Sequence, residues 1–215
     1  MAEAKRKLKS FVTPVVTLKY CYLNKPDEKY KYFSCQGILD VEGDPAHKAF
    51  IDKIKAEAKV EVDKMLADVD DKKRQFILKT YKQELPIKDE LVEYQPTGKL
   101  VMKAKSNIAH PPSVFVVEQG KLVSTTKGVW GGSLGEIKVL MNPYVCDAQK
   151  NYGVSFLLSA VKVTKFAVSG TAPGAAAGFT AGSDTESYTP AVTSETPPCD
   201  SGASDDEGDP SAGNF

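Results

Sequence analysis

Apolar positions along this chain follow two periods, and the switches between them divide it into elements. Phe11 to Leu23 is β-branched and aromatic, with Val16, Leu18, Tyr20 and Tyr22 on one face and Val15, Thr17, Lys19 and Cys21 on the other. Period two of this kind predicts a strand. Asn24-Lys25-Pro26-Asp27 is turn chemistry, and a second strand is expected from Tyr32 to Val41, with Gly37 marking a bulge or a close approach. Asp44-Pro45 then supplies a helix cap followed by proline at the first helical position. Phe50, Ile54, Ala58, Val62, Leu66 and Val69 recur every three or four residues, as one face of a helix requires. A second helix is expected over Lys72 to Leu85, with Phe76, Ile77, Thr80 and Tyr81 on one side and Pro86 as its stop. Both helices read as a charged cover over a barrel end or sheet edge.

From Gly98 the period returns to two. Leu100, Met102 and Ala104 alternate with Lys99, Lys103 and Lys105, so the three lysines share one side of a strand. That side is either a solvated outer face or a basic ridge along a groove. Ser113 to Glu118 and Lys121 to Thr125 are further strands around a Gly120 turn. The glycine-rich stretch Gly128 to Gly135 lacks the GK[ST] ending and the following helix of a phosphate loop, so it reads as a flexible connection exposing Trp130. Glu136 to Asn142 is a strand with Ile137, Val139 and Met141 on one face. A turn at Asn142-Pro143-Tyr144 and a loop through Lys150, Tyr152 and Gly153 lead to the longest strand, Val154 to Phe166. The expected class is mainly β: an OB-fold barrel with a helical insertion after the second strand.

Charge changes this picture. The chain holds 28 basic and 28 acidic residues, but all the bases and 20 of the acids precede residue 166, leaving that body at +8. The last fifty residues carry 8 acids, no lysine or arginine, and no Leu, Ile or Met. Such a segment buries too little apolar surface to offset its ordering entropy, so a disordered acidic tail over 167–215 is expected, ending on Phe215. Residues 1–10 read as a basic arm (Lys5, Arg6, Lys7), either solubilising or phosphate-contacting, and 11–166 as the barrel domain. A basic body joined to an acidic tail can bind a polyanion and also imitate one.

Other chemistries find little support. No apolar run reaches the roughly 18–20 residues of a spanning helix, and the N-terminus makes a poor signal peptide. Cys21, Cys35, Cys146 and Cys199 are too far apart for a zinc cluster, which points to reduced, cytoplasmic thiols; no metal or cofactor is expected. Asp68, Asp70 and Asp71 could hold a metal but are explained by a charged helix end, and His47 and His110 lack obvious partners, so no catalytic residue is assigned. An OB-type barrel with a basic surplus instead suits single-stranded nucleic acid, whose bases stack on aromatics beside a positive groove. The candidates are the arm residues with Lys99, Lys103, Lys105, Lys138 and Lys150, and the loop aromatics Trp130, Tyr144 and Tyr152.

The order LNKPDEKYKYFSCQGILDV, a charged helix, GGSLGEIKVLMNPYVCDAQKNYGVSFLLSAVKV and an acidic tail ending in Phe resembles the single-stranded DNA-binding proteins of short-tailed lytic phages. The resemblance implies an OB-fold core binding single-stranded DNA in replication and recombination in the host cytoplasm. Tyr144, Lys103 and Lys105 would fall on its binding positions. It also implies that the tail (Asp205, Asp206, Glu207, Asp209 and Phe215) contacts the replicative polymerase and primase-helicase, supports a homodimer and competes with DNA. Two departures predict weaker docking and stacking: Pro210 to Asn214 separate the last acid from Phe215, and Cys146 stands where the family has an aromatic. Two other readings remain open, a nuclease and an adaptor whose tail alone is functional.

Overall fold

The computed structural model describes residues 8–167. Their elements in chain order are β1 (Lys9–Val12), β2 (Val16–Tyr22), β3 (Tyr32–Leu39), α1 (Pro45–Ala67), α2 (Asp71–Thr80), β4 (Lys82–Glu84) and β5 (Ile87–Val92). β6 (Gln95–Asn107), β7 (Ser113–Glu118), β8 (Lys121–Ser124), β9 (Leu134–Cys146) and β10 (Asn151–Lys165) follow. Five strands close a barrel in the order β2–β3–β6–β10–β9 and back to β2. Every seam is antiparallel except β6–β10, which is parallel and held by one register pair, Leu157 with Lys105. The expected OB-fold with helices after the second barrel strand is what the chain builds.

The interior follows from alternation. Ile137, Val139 and Met141 on β9 and Met102 and Ala104 on β6 point inward and are essentially inaccessible. Asp44 caps α1 by accepting from the Ala46 N–H at 2.8 Å, and the helix lays Phe50, Ile51, Ile54, Ala58, Val62 and Leu66 against β9 and β10. Each of the large apolar side chains is worth roughly 1.5–3 kcal/mol relative to exposure. His47 staples the start of α1 to the barrel. Its Nδ1 accepts from the Asp40 N–H and its Nε2 donates to the Val15 carbonyl, both at 3.0 Å. Lys9, assigned to the arm by sequence, belongs to β1 and pairs with Glu57 of α1.

Several expectations are corrected. The predicted strand from Phe11 to Leu23 breaks at Pro14, where Thr13 keeps the connection to β9: its N–H donates to the Ile137 carbonyl and its hydroxyl accepts from the Ile137 N–H. Tyr20 has φ +49° and marks a bulge, so the alternation slips by one; Cys21 then packs on the core while Tyr20 and Tyr22 face solvent. The second helix ends at Thr80 because Lys82 to Glu84 find backbone partners along Asn151 to Gly153, and Ile77, not Phe76, is its buried residue. Asn142-Pro143-Tyr144 is not a turn. β9 continues through it, paired with β10 on one side, while its other neighbour β1 stops at Met141, and proline is tolerated at such an edge. Lys5, Arg6, Lys7 and the tail with Asp205, Asp206, Glu207, Asp209 and Phe215 lie outside the described residues.

Candidate nucleic-acid interface

The outer face of β2, β3 and β6 forms the floor of an open cleft of about 870 Å³. Register places Lys19, Gln36 and Lys103 in one row across the three strands, and Ser34 beside Lys105 in the next. Partners in register point to the same side of a sheet, so the lysines project together. One wall is the β4–β5 segment, with Pro86, Lys88 and Leu91; the other comes from β9 and β10, with Tyr144 and Leu157. The Lys103 N–H donates to the Pro86 carbonyl at 3.0 Å, which ties the floor to the first wall. The cleft thus lies along the parallel seam, where the barrel is least tightly paired.

The cleft holds four lysines (Lys19, Lys88, Lys103, Lys105) and three carboxylates (Glu84, Asp89, Glu90). Glu90 is buried, accepts from the Thr97 hydroxyl at 2.9 Å and lies 3.3 Å from the Lys19 ammonium. Lys19 also sits 5.7 Å from the centre of the Tyr20 ring, whose exposure the bulge creates. Partial burial, and then the Glu84 carboxylate beside it, push the Tyr144 phenol above its ordinary range. Tyr144 is therefore neutral through neutral pH, and its ring sits in the wall as an uncharged face.

Of the residues singled out by sequence, Lys103, Lys105 and Tyr144 meet here. The others among the described residues do not line the cleft. Lys99 lies 3.7 Å from Asp40, and Lys138 stands opposite Val12 where β1 joins β9. Lys150 occupies the turn before β10 at φ +52°. Trp130 is 65% exposed on the β8–β9 connection, as its loop suggested, but does not line the cleft. Tyr152 is a correction: it lies in β10, not in a loop, and its ring is buried facing α1 next to Ala58, Val62 and Leu66. Sequence reasoning missed Lys19, Tyr20 and Lys88. The last carried no signal of period: in Ile87–Val92 the charged Asp89 interrupts the apolar positions, Glu90 is the buried residue and Leu91 is exposed.

The acidic run near the helices has structural work: Asp70 caps α2 by accepting from the Lys72 N–H at 3.1 Å, and Asp68 closes α1. Among the described residues no group of three or more His, Cys, Asp or Glu side chains could hold a metal ion.

No family model matches this chain, and no curated protein matches it by sequence. Solved structures do. gp2.5, a single-stranded DNA-binding protein encoded by bacteriophage T7, superposes with a TM-score of 0.58 at 19% identity, over 74% of this chain and 93% of its own. The single-stranded DNA-binding protein of bacteriophage Enc34, in complex with single-stranded DNA, gives 0.50 at 16% identity, over 74% of this chain and 87% of that one. The chain shares the fold of these phage single-stranded DNA-binding proteins.

Proposed function

We propose that this chain binds single-stranded DNA without regard to sequence, in the cleft over β2, β3 and β6, and without catalysis. One observation carries the reading: Lys103, Lys105 and Tyr144, from strands distant in sequence, converge in one open cleft with Lys19, Lys88 and Tyr20. Lysines answer a phosphate backbone, and exposed tyrosine faces answer bases that are not already stacked in a duplex. The Enc34 neighbour in its complex with single-stranded DNA supports the same ligand for this fold.

A titration of the full chain with labelled oligothymidylate and with a duplex of equal length, across salt, tests this. Phosphate contacts to the four cleft lysines give a slope of log affinity against log salt of roughly −3, at about −0.7 per contact. The duplex should bind at least about tenfold more weakly, since its bases have no free faces. No binding at low salt would favour an adaptor acting through its tail, and cleavage of the strand with magnesium would overturn the non-catalytic reading.

The finer assignment rests on the sequence resemblance and on charge. In it the protein serves viral DNA replication and recombination in the host cytoplasm as a homodimer. Residues 1–10 form the basic arm, 11–166 the DNA-binding domain, and 167–215 an acidic segment contacting the replicative polymerase and primase-helicase. That segment also competes for the cleft, because a tethered polyanion has a high effective concentration near the lysines. Removing residues 200–215 deletes five acids, Asp200, Asp205, Asp206, Glu207 and Asp209. The expected result is severalfold tighter DNA binding at low salt, fading as salt screens the competitor. An unchanged affinity at low salt would rule out the competition.

A further inference from the structure

The connection between β2 and β3 carries a row of side chains for which packing gives no account. The Lys105 ammonium lies 4.7 Å from the centre of the Tyr32 ring. Tyr32 stacks on Tyr30 with centroids 5.7 Å apart and 23° between the planes, and the Lys29 ammonium sits 5.2 Å from the Tyr30 ring. Lys105 lines the cleft, so the row starts at the cleft and leads away from it over the loop. Neither ring belongs to the hydrophobic core, and Tyr30 is 57% exposed.

The loop that presents this row is held in place by its own hydrogen bonds. The Asp27 carboxylate accepts from the Lys29 and Tyr30 N–H groups, both at 2.9 Å. The Asp27 N–H donates to the Tyr32 carbonyl at 2.9 Å, and the Lys31 N–H donates to the Asp27 carbonyl at 2.8 Å. Lys31 itself adopts φ +53° to close the turn. Asn24 reaches across to the β8–β9 connection, donating to the carbonyls of Thr126 and Lys127 at 2.8 Å each. A ring held exposed by a braced loop loses little entropy when a ligand stacks on it. Stacked phenols flanked by ammonium groups complement a nucleotide, with a π face for the base and a cation for its phosphate.

We infer that this row is a second base-stacking station, which receives the nucleotides of an unpaired strand as they leave the cleft past Lys105. A base stacks on the outer face of Tyr30 in place of the Lys29 ammonium, whose flexible stem lets it swing aside to hold the neighbouring phosphate. The inference rests on the reading of the cleft as a single-strand site and adds to it the direction of exit and a dependence on strand length.

The test compares the full chain with its Tyr30→Leu and Tyr30→Phe variants on oligothymidylates of about 4 and about 12 nucleotides, a short and a long strand within the roughly 4–16 nucleotide site sizes of such barrels. Tyr30→Leu keeps the bulk and removes the π face. It should lose about tenfold on the long strand and less than about twofold on the short one. Tyr30→Phe should match the parent on both. An equal affinity of Tyr30→Leu and parent for the long strand overturns the inference. So does an equal loss on both lengths, which would assign Tyr30 to the loop's architecture. A parent that binds neither strand would instead sink the reading of the cleft itself, a separate outcome.

Discussion

Replacing Lys103, Lys105 and Tyr144 together with alanine is expected to weaken single-stranded DNA binding roughly 300-fold or more at about 50 mM salt. Each lysine that neutralises a phosphate contributes about eightfold at that salt, from a slope of about −0.7 per contact, and only about threefold near 200 mM. A base stacked on Tyr144 contributes about 1–3 kcal/mol, at least fivefold, and this part does not depend on salt. The loss should therefore shrink as salt rises and level off at the stacking share. Anisotropy titrations at several salt concentrations resolve the two. Tyr144→Phe should bind like the parent, because the ring remains and only the hydroxyl beside Glu84 is lost. Lys138→Ala and Lys99→Ala, outside the cleft, should change affinity less than about twofold. If those two weaken binding as much as Lys103→Ala, attraction is spread over the whole basic body and the cleft is not the site.

What made the floor of this cleft legible is that a strand with one buried face writes its register into the sequence. Met102 and Ala104 must go inward, so Lys103 and Lys105 must go outward together, and the structure keeps that arrangement. The Asp44-Pro45 cap and the stripe on α1 were readable for the same reason, since local chemistry and burial agree there. Tyr20 shows where this logic ends. Its face is set by a bulge that lets β2 bend around the barrel, and a bulge changes the phase of alternation without changing the residues.

The walls were harder to read than the floor because they are defined by partners, not by period. Lys82 to Glu84 carry too little apolar pattern to declare a strand and become one only because the start of β10 offers free backbone groups. Tyr144 and Tyr152 illustrate the same point from opposite sides. Both were placed near loops, yet both lie in strands, in register one apart: Tyr144 faces Gly153, and Tyr152 faces Val145. One rings the cleft and the other packs under α1, a division that follows from period two once the pairing is known. The Tyr30–Tyr32 stack was invisible for a related reason. Two aromatics in a turn reveal nothing until Asp27 and Asn24 fix the loop.

Gly153→Ala should be the most damaging single methyl addition to the body, lowering stability by roughly 3 kcal/mol or more. Gly153 is in register with Glu84 in the parallel pairing of β10 with β4, and a Cβ there would run into the Glu84 backbone carbonyl. The obstacle is main chain, which has no rotamer to change, and the φ of +154° is one that side-chain-bearing residues rarely adopt. Relief requires β4 to lift from β10. That movement carries Glu84, Leu85 and Pro86 with it; all three line the cleft, and Glu84 and Leu85 also line the cavity beneath α1. Pro86 in turn accepts the backbone bond from Lys103, so the strain reaches the floor of the proposed DNA site. A thermal melt should fall by about 10 °C, given about 2–4 °C per kcal/mol for a body of this size. The folded fraction should also bind oligothymidylate more weakly, by a factor that Gly131→Ala, where an added Cβ meets nothing and the backbone is not left-handed, does not reproduce. A melt unchanged within a degree or two would mean that β4 does not sit this tightly on β10, and the first wall of the cleft would then be a movable strap.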